Sequence, residues 1–428
     1  MKQKIRAALS DSLVRSSGLM FCAFMASSVF NYLFQIVLGR LLGPVQYGVL
    51  SGLLSLLSVL GVPVATLLMV VAAKSAEYKA RNDAAALSGL FSSVTAGVLK
   101  AGAAGLVLFL VFSPAIKNYL NAPELLPVVL LGLAAFAALP GPVNTAMLQG
   151  VQDYKWLAIS MTLSGPARLG FSALPVLAGL GVSGAVGGLI LTGTFAWLIT
   201  YLPLRAHIAA QAAARGGHLT FSRVLPVFVA NLSFTIMTQA DIVMVNRYFQ
   251  AGEAGIYAAA AILGRAVMYI PGSIVLAMFP MVSESRALNK SGGHLLVKSL
   301  FATALFSGGG AALFYFLPEW TMGTFFGAGY LPAAPLLKYF GLAMLPMAFL
   351  LVFMNYFVAR EKTVFAYIMA ACAAAEIAAM HLYHGAPLDI VKAVSAAGLL
   401  ALAGGLAAHK LRLPGAENAA EERTGDIK

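Results

Sequence analysis

Charge is scarce in this chain. Asp, Glu, Lys and Arg make up 10% of 428 residues, hydrophobic residues 60%, and mean hydropathy is +0.85. No soluble domain has that balance. Acids are the scarcest charged class, 16 against 28 Lys plus Arg, which leaves a net charge of +12. Cysteine is limited to Cys22 and Cys372. Both lie in apolar stretches, where a small buried thiol is the usual reading, so they say nothing about redox compartment. Long polar loops are missing too. The sizeable polar stretches are the start, the segment Arg205 to Arg223 and the tail after Lys410. No attached soluble domain is expected, and the short loops argue against an integral glycosyltransferase or polymerase, which would expose a long loop carrying catalytic residues. No G-x-x-x-x-G-K-[ST] loop is present, so ATP hydrolysis by that motif is excluded. No catalytic residue, metal or cofactor is expected. The basic start runs into a full-length apolar span without a small-residue cleavage site, so no removable signal peptide is expected.

What is present is apolar spans of about 20 residues, each enough to cross a ~30 Å hydrocarbon core. They fall near residues 18–38, 47–73, 86–113, 125–147, 155–180, 183–204, 224–249, 254–282, 295–317, 333–358, 363–383 and 388–408. Small residues such as Gly184, Gly187, Gly188, Gly193 and the run Ala370 to Ala375 suit close helix packing and point to no ligand.

The spans form two copies of one unit. Arg40, Gly48 and Glu77 recur as Arg247, Gly255 and Glu284 at a shift of 207 positions, and Pro63/Pro271, Pro140/Pro346 and Asp153/Glu361 keep the register within one residue. Six spans per unit is an even number, so the repeats enter the membrane from the same side, and duplicated bundles commonly place a substrate site between repeats. The expected fold is an all-α integral membrane protein of about 12 transmembrane helices in two parallel six-helix repeats. The expected divisions are 1–17, a cytoplasmic interfacial start with Ile5, Leu9 and Leu13 at helical spacing; 18–204, the first lobe; 205–223, a cytoplasmic linker; 224–410, the second lobe; and 411–428, a disordered tail. Pro63 and Pro271, mid-span in matched helices, are expected to bend them.

Lys and Arg are distributed unequally between the loops. One side collects most of them, including Lys74, Lys79, Arg81, Lys155, Arg205, Arg360 and Lys410, and the other receives Arg40, Lys117, Arg247 and Lys392. The positive-inside rule then makes both termini cytoplasmic in a multi-pass protein. It also accounts for the basic balance without nucleic acid.

The stretch Asn31 to Pro63 carries a G-R-x-L-G-x-x-x-Y-G turn in Gly39, Arg40, Leu42, Gly43, Tyr47 and Gly48, and Asp241 to Tyr257 is its counterpart. With twelve spans in two halves, this resembles the polysaccharide transporters (oligosaccharide flippases, O-antigen flippase-like) of the multidrug/oligosaccharidyl-lipid/polysaccharide exporter superfamily. The resemblance implies two six-helix lobes in a V-shaped bundle around a central cavity that opens alternately to each side. It also implies flipping of a polyprenyl-diphosphate-linked oligosaccharide from the cytoplasmic to the outer leaflet of a bacterial inner membrane. A monomer, with glycan polymerase or ligase machinery as neighbours, is the expected assembly. The peptidoglycan-precursor branch, which often carries extra terminal spans, is not the branch expected.

Charges stranded within spans discriminate further, since each costs about 2.5–3.5 kcal/mol at a helix centre and so usually faces a cavity or a partner. Lys100, Arg168 and Arg265 lie within spans and Lys338 nearer an end; Asp241 and Glu376 are the acids. A cationic interior suits an anionic diphosphate, whereas an ion-coupled exporter of organic cations, the alternative on this fold, needs acidic walls. The candidate cavity residues are Lys100, Arg168 and Arg265 with the amides Asn31 and Asn231. Each has a plainer reading. Arg168 can satisfy carbonyls freed at Pro166, Arg265 can pair with Asp241, and Lys338 can snorkel; Asn144, Gln35, Gln149, Gln239 and Asn355 can bridge helices. Asp241 is the candidate for a coupling proton or sodium ion, and Glu376, near His381 and His384, is expected at a solvated end. Glu77 and Glu284, with their basic neighbours, are solvated loop charges or a cytoplasmic latch between lobes.

Overall fold

In the computed structural model the described residues are 12–208, 225–268, seven positions between 271 and 282, 293–360 and 363–410. They are helical almost throughout. The helices are α1 (Ser12–Ala80), α2 (Ala84–Tyr119), α3 (Leu126–Ala137), α4 (Pro140–Gly150), α5 (Tyr154–Pro175), α6 (Gly181–Leu204), α7 (Leu225–Tyr248), α8 (Ala251–Arg265), α9 (Gly293–Phe316), α10 (Pro318–Phe325), α11 (Ala334–Ala359), α12 (Val364–Leu382) and α13 (Pro387–Lys410). Among the described residues nine helical stretches are long and apolar enough to cross a membrane. At 1.5 Å per residue, Gly18–Ala80 and Tyr154–Leu204 are each long enough for two crossings. Each is broken at glycine, the first at Gly43 (φ 69°, ψ 172°) and the second at Gly179 (φ 88°) and Gly181 (φ 51°). That makes eleven crossings among the described residues, six in the first half and five in the second, with α8 standing at the place of the remaining span.

The motif turn expected after the first span is therefore a single residue. Gly43 takes a backbone region essentially closed to side chains, and Pro44 then starts the second arm of α1 at the helix position where its missing N–H costs nothing. Pro63 lies inside that arm with helical residues on both sides. On the opposite face the short links use a left-handed residue followed by an N-cap. Asn82 (φ 50°) precedes Asp83, which accepts from Ala86 N at 2.8 Å, and Gln152 (φ 62°) precedes Asp153, which accepts from Trp156 N at 3.3 Å.

The halves meet where α1 packs on α7 and α8. Small residues permit it: Ala254 and Ala258 to Ala261 in α8 are fully buried. The interfacial start before Ser12, the linker from 209, the tail after 410, and Glu284, Arg286, Lys290 and Glu361 lie outside the described residues. Glu77 is satisfied locally, by Lys74 in its own helix and by Arg81 just past the helix end, each at 2.8 Å.

Candidate functional site

Between the halves lies a cavity of about 490 Å³, within the range of small-ligand sites. The first half contributes most of its wall. The second arm of α1 presents Ser51, Ser55 and Ser58, three hydroxyl residues at i, i+4 and i+7 and hence on one helix face. The first arm adds Asn31 and Gln35, while α7 and α8 close the wall with Gln239 and Arg265. Ser55 donates to Gln239 Oε1 at 3.2 Å and Tyr32 to the Ile262 carbonyl at 3.3 Å, so polar contacts across the lining already join the halves.

Among the described residues the lining carries two charged side chains, Arg168 and Arg265. Arg168 comes from α5 and donates through Nη1 to the amide oxygen of Asn31 at 2.9 Å; its guanidinium also lies 4.2 Å from the centre of the Phe34 ring. That hydrogen-bond partner is a neutral amide on another helix. Arg265 is nearly buried and forms an ion pair with Asp241 through Nη2 and Oδ1. Tyr257 O–H donates to the other carboxylate oxygen at 3.2 Å. Asp241, 1% exposed, is thus held from two sides, while Arg265 Nε has no partner among the described residues.

Glu376 differs from expectation. It is 1% exposed and neither carboxylate oxygen has a hydrogen-bond partner among the described residues. It stands six positions before the end of α12, turned toward α7 instead of the solvated helix end, within electrostatic range of Asp241 and Arg265. Proximity in sequence to His381 and His384 misleads here, because those two sit on the surface around Tyr248, with His384 stacked at 3.9 Å from its ring.

Two sequence candidates do not reach the cavity. Lys100 is exposed on α2, whose apolar length packs little against the bundle, and Asn231 donates to Val227 O within its own helix at 3.0 Å. Asn144 bridges helices, donating to Trp197 O at 3.2 Å and Thr200 Oγ1 at 3.1 Å. The serine stripe of α1, absent from the sequence candidates, is visible in the sequence as a polar face on an otherwise apolar span. No cluster of three metal-ligating side chains occurs among the described residues.

Fold and site together define a polytopic membrane protein with a polar, arginine-bearing cavity between two six-helix halves. Residues 37–335 match the family described as polysaccharide biosynthesis protein, and the chain belongs to it. Solved structures share the fold at low identity. An inward-facing multidrug resistance MATE family transporter of the MOP superfamily is 11% identical with a TM-score of 0.78, over 90% of this chain and 94% of that one. The lipid II flippase MurJ in an inward closed conformation is 13% identical with a TM-score of 0.69, over 93% and 87%. An outward-facing MATE family transporter is 14% identical with a TM-score of 0.61, over 93% and 94%. No curated protein matches the sequence.

Proposed function

We propose that the protein flips a polyprenyl-diphosphate-linked oligosaccharide from the cytoplasmic to the outer leaflet by alternating access, in the service of cell-surface polysaccharide synthesis. The observation that carries this is the sign of the cavity: its two charged side chains are both arginines, set among hydroxyls and amides. Guanidinium groups offer paired donors to diphosphate oxygens, and hydroxyl and amide groups match sugar hydroxyls. An organic-cation exporter fits less well, since Asp241 is neutralised by Arg265 and no carboxylate lines the cavity among the described residues. Asp241 is the proposed coupling residue. When a phosphate draws Arg265 away, Asp241 loses the cation that neutralises it while Glu376 stands within electrostatic range, leaving the buried acids free to exchange Arg265 for a coupling cation. Membership of the polysaccharide biosynthesis family supports the substrate class, and the MurJ fold is compatible with it. The proposed setting is a bacterial inner membrane with both termini cytoplasmic, and glycan polymerase or ligase machinery receiving the product.

The test is flipping of a fluorescent polyprenyl-diphosphate oligosaccharide in proteoliposomes. Arg168→Gln and Arg265→Gln should each slow it about 10- to 100-fold, the worth of a hydrogen bond to a charged group. Lys100→Gln should stay near the native rate. Normal flipping by folded Arg168→Gln and Arg265→Gln proteins would remove the cavity from the mechanism. Asp241→Asn should abolish any dependence on an imposed pH or sodium gradient.

A further inference from the structure

The arginines of the two motif copies, 207 positions apart, each reach across to the opposite half. Arg40 donates through Nε to Phe325 O at 2.7 Å and through Nη2 to Thr324 O, the last carbonyls of α10. Those carbonyls have no intrahelical donors of their own. Its repeat mate Arg247 lies over the Tyr119 ring, 5.5 Å from its centre. Subtracting 207 from 325 gives 118, next to Tyr119, so both arginines engage matched helix ends at or just after the third span of the opposite half.

The contacts are reciprocal one residue earlier as well. Gly39 O accepts from Tyr330 O–H at 2.7 Å, and its repeat mate, Asn246 O (246 − 39 = 207), accepts from Asn121 Nδ2 at 3.0 Å. Asn121 also donates to Arg247 O at 2.9 Å. Both acceptors are carbonyls near the end of the first span of a half, and both donors sit in the connection between the third and fourth spans of the other.

Between these two sets the repeat glycines touch. A Cβ on Gly48 would stand 2.6 Å from Ala251 O and 2.8 Å from Gly255 N, and one on Gly255 would overlap the Pro44 carbonyl. Backbones this close allow no side chain at either position.

We propose that the duplicated motif is a two-fold latch: Arg40 and Arg247, each gripping the opposite half about the Gly48–Gly255 crossing, hold the cavity shut at the face poor in basic residues. Every bond in it joins one half to the other, so all of them must break together when the halves part at this face. The latch sets the balance between the two orientations and is independent of what is carried.

Distances between paired spin labels test this, in full-length protein in lipid nanodiscs with Cys22 and Cys372 replaced by Ser. One pair, Leu125→Cys with Glu319→Cys, spans the latch face; a second, Lys155→Cys with Thr363→Cys, spans the opposite face. These positions are exposed. In Arg40→Gln with Arg247→Gln, the ratio of long to short distances at the latch face should rise at least about tenfold, the effect of losing one charged hydrogen bond. The opposite face should close in step. Gly255→Ala should act in the same direction. Asn121→Gly, which removes two neutral bonds, and Tyr330→Phe, which removes one, should give smaller shifts of the same sign and decide the matter where the arginine variants do not fold. Distributions that superimpose on the native ones in the folded variants overturn the latch. So does widening at the latch face with no change opposite, which is what loosened packing alone would give.

Discussion

Arg265 and Asp241 are a buried ion pair, and such pairs reveal their energetics asymmetrically. Removing one partner strands a charge and costs about 3–5 kcal/mol, whereas removing both can be nearly neutral. Arg265→Gln alone leaves Asp241 with one donor, Tyr257, within electrostatic range of Glu376, which has none among the described residues. We therefore expect Arg265→Gln to lower thermal stability markedly and the double variant with Asp241→Asn to recover most of it, read as melting in detergent. Equal melting of the single and double variants would mean the pair is already loosened by water. Glu376→Gln, which keeps the shape and removes the ionisable group, should leave the fold intact or strengthen it.

At the scale of elements, α1 is the most constrained piece of the chain, since it supplies two crossings and one serine-bearing wall of the cavity. Its break rests on Gly43. Placing any side chain at φ 69° and ψ 172° costs on the order of 1–3 kcal/mol, and a Cβ added at Gly43 would meet no heavy atom within 4 Å. Gly43→Ala should thus destabilise through backbone strain alone, by about that amount. Gly61→Ala, in open space at helical geometry, should be neutral or slightly stabilising. A parallel loss at both positions in a melting assay would count against the strain argument. The repeat of Arg40, Gly48 and Glu77 is legible in the sequence, as is the number of spans. That the turn shrinks to one glycine is not, because periodicity locates apolar runs and is blind to the φ and ψ of a single residue.

For the whole molecule, the asymmetry of Lys and Arg predicts which face is cytoplasmic, and this can be measured independently of transport. In intact cells a membrane-impermeant maleimide should label Lys117→Cys and spare Arg205→Cys, with the pattern reversed in inside-out vesicles; the converse would invert the orientation. The candidate site is only partly legible for a related reason. Arg168 and Arg265 announce themselves because charge within a span is costly wherever it points, and Asn31 is found with them. Lys100 is equally conspicuous but faces away from the cavity, since sequence gives the depth of a residue in the membrane and not the azimuth of its helix. Glu376 is misplaced by the same ambiguity. The serines at 51, 55 and 58 escape notice because hydroxyls in a span are cheap, able to bond back to their own helix as Ser51 and Ser58 do, at 2.8 and 2.9 Å.

The crossing of Gly48 with Gly255 is the kind of contact that symmetric dimers make, in which one surface patch meets its own copy. In a true dimer every substitution at such a patch is suffered twice, and the patch must remain complementary to itself. Joining both copies in one chain lifts that restriction. Asn246 now stands where the other half has Gly39, and a tyrosine at 330 does for one side what an asparagine at 121 does for the other. Each half is thereby free to specialise, one lining most of the cavity with hydroxyls and amides and the other harbouring the buried acids, while the seam between them keeps the form of a contact between equals.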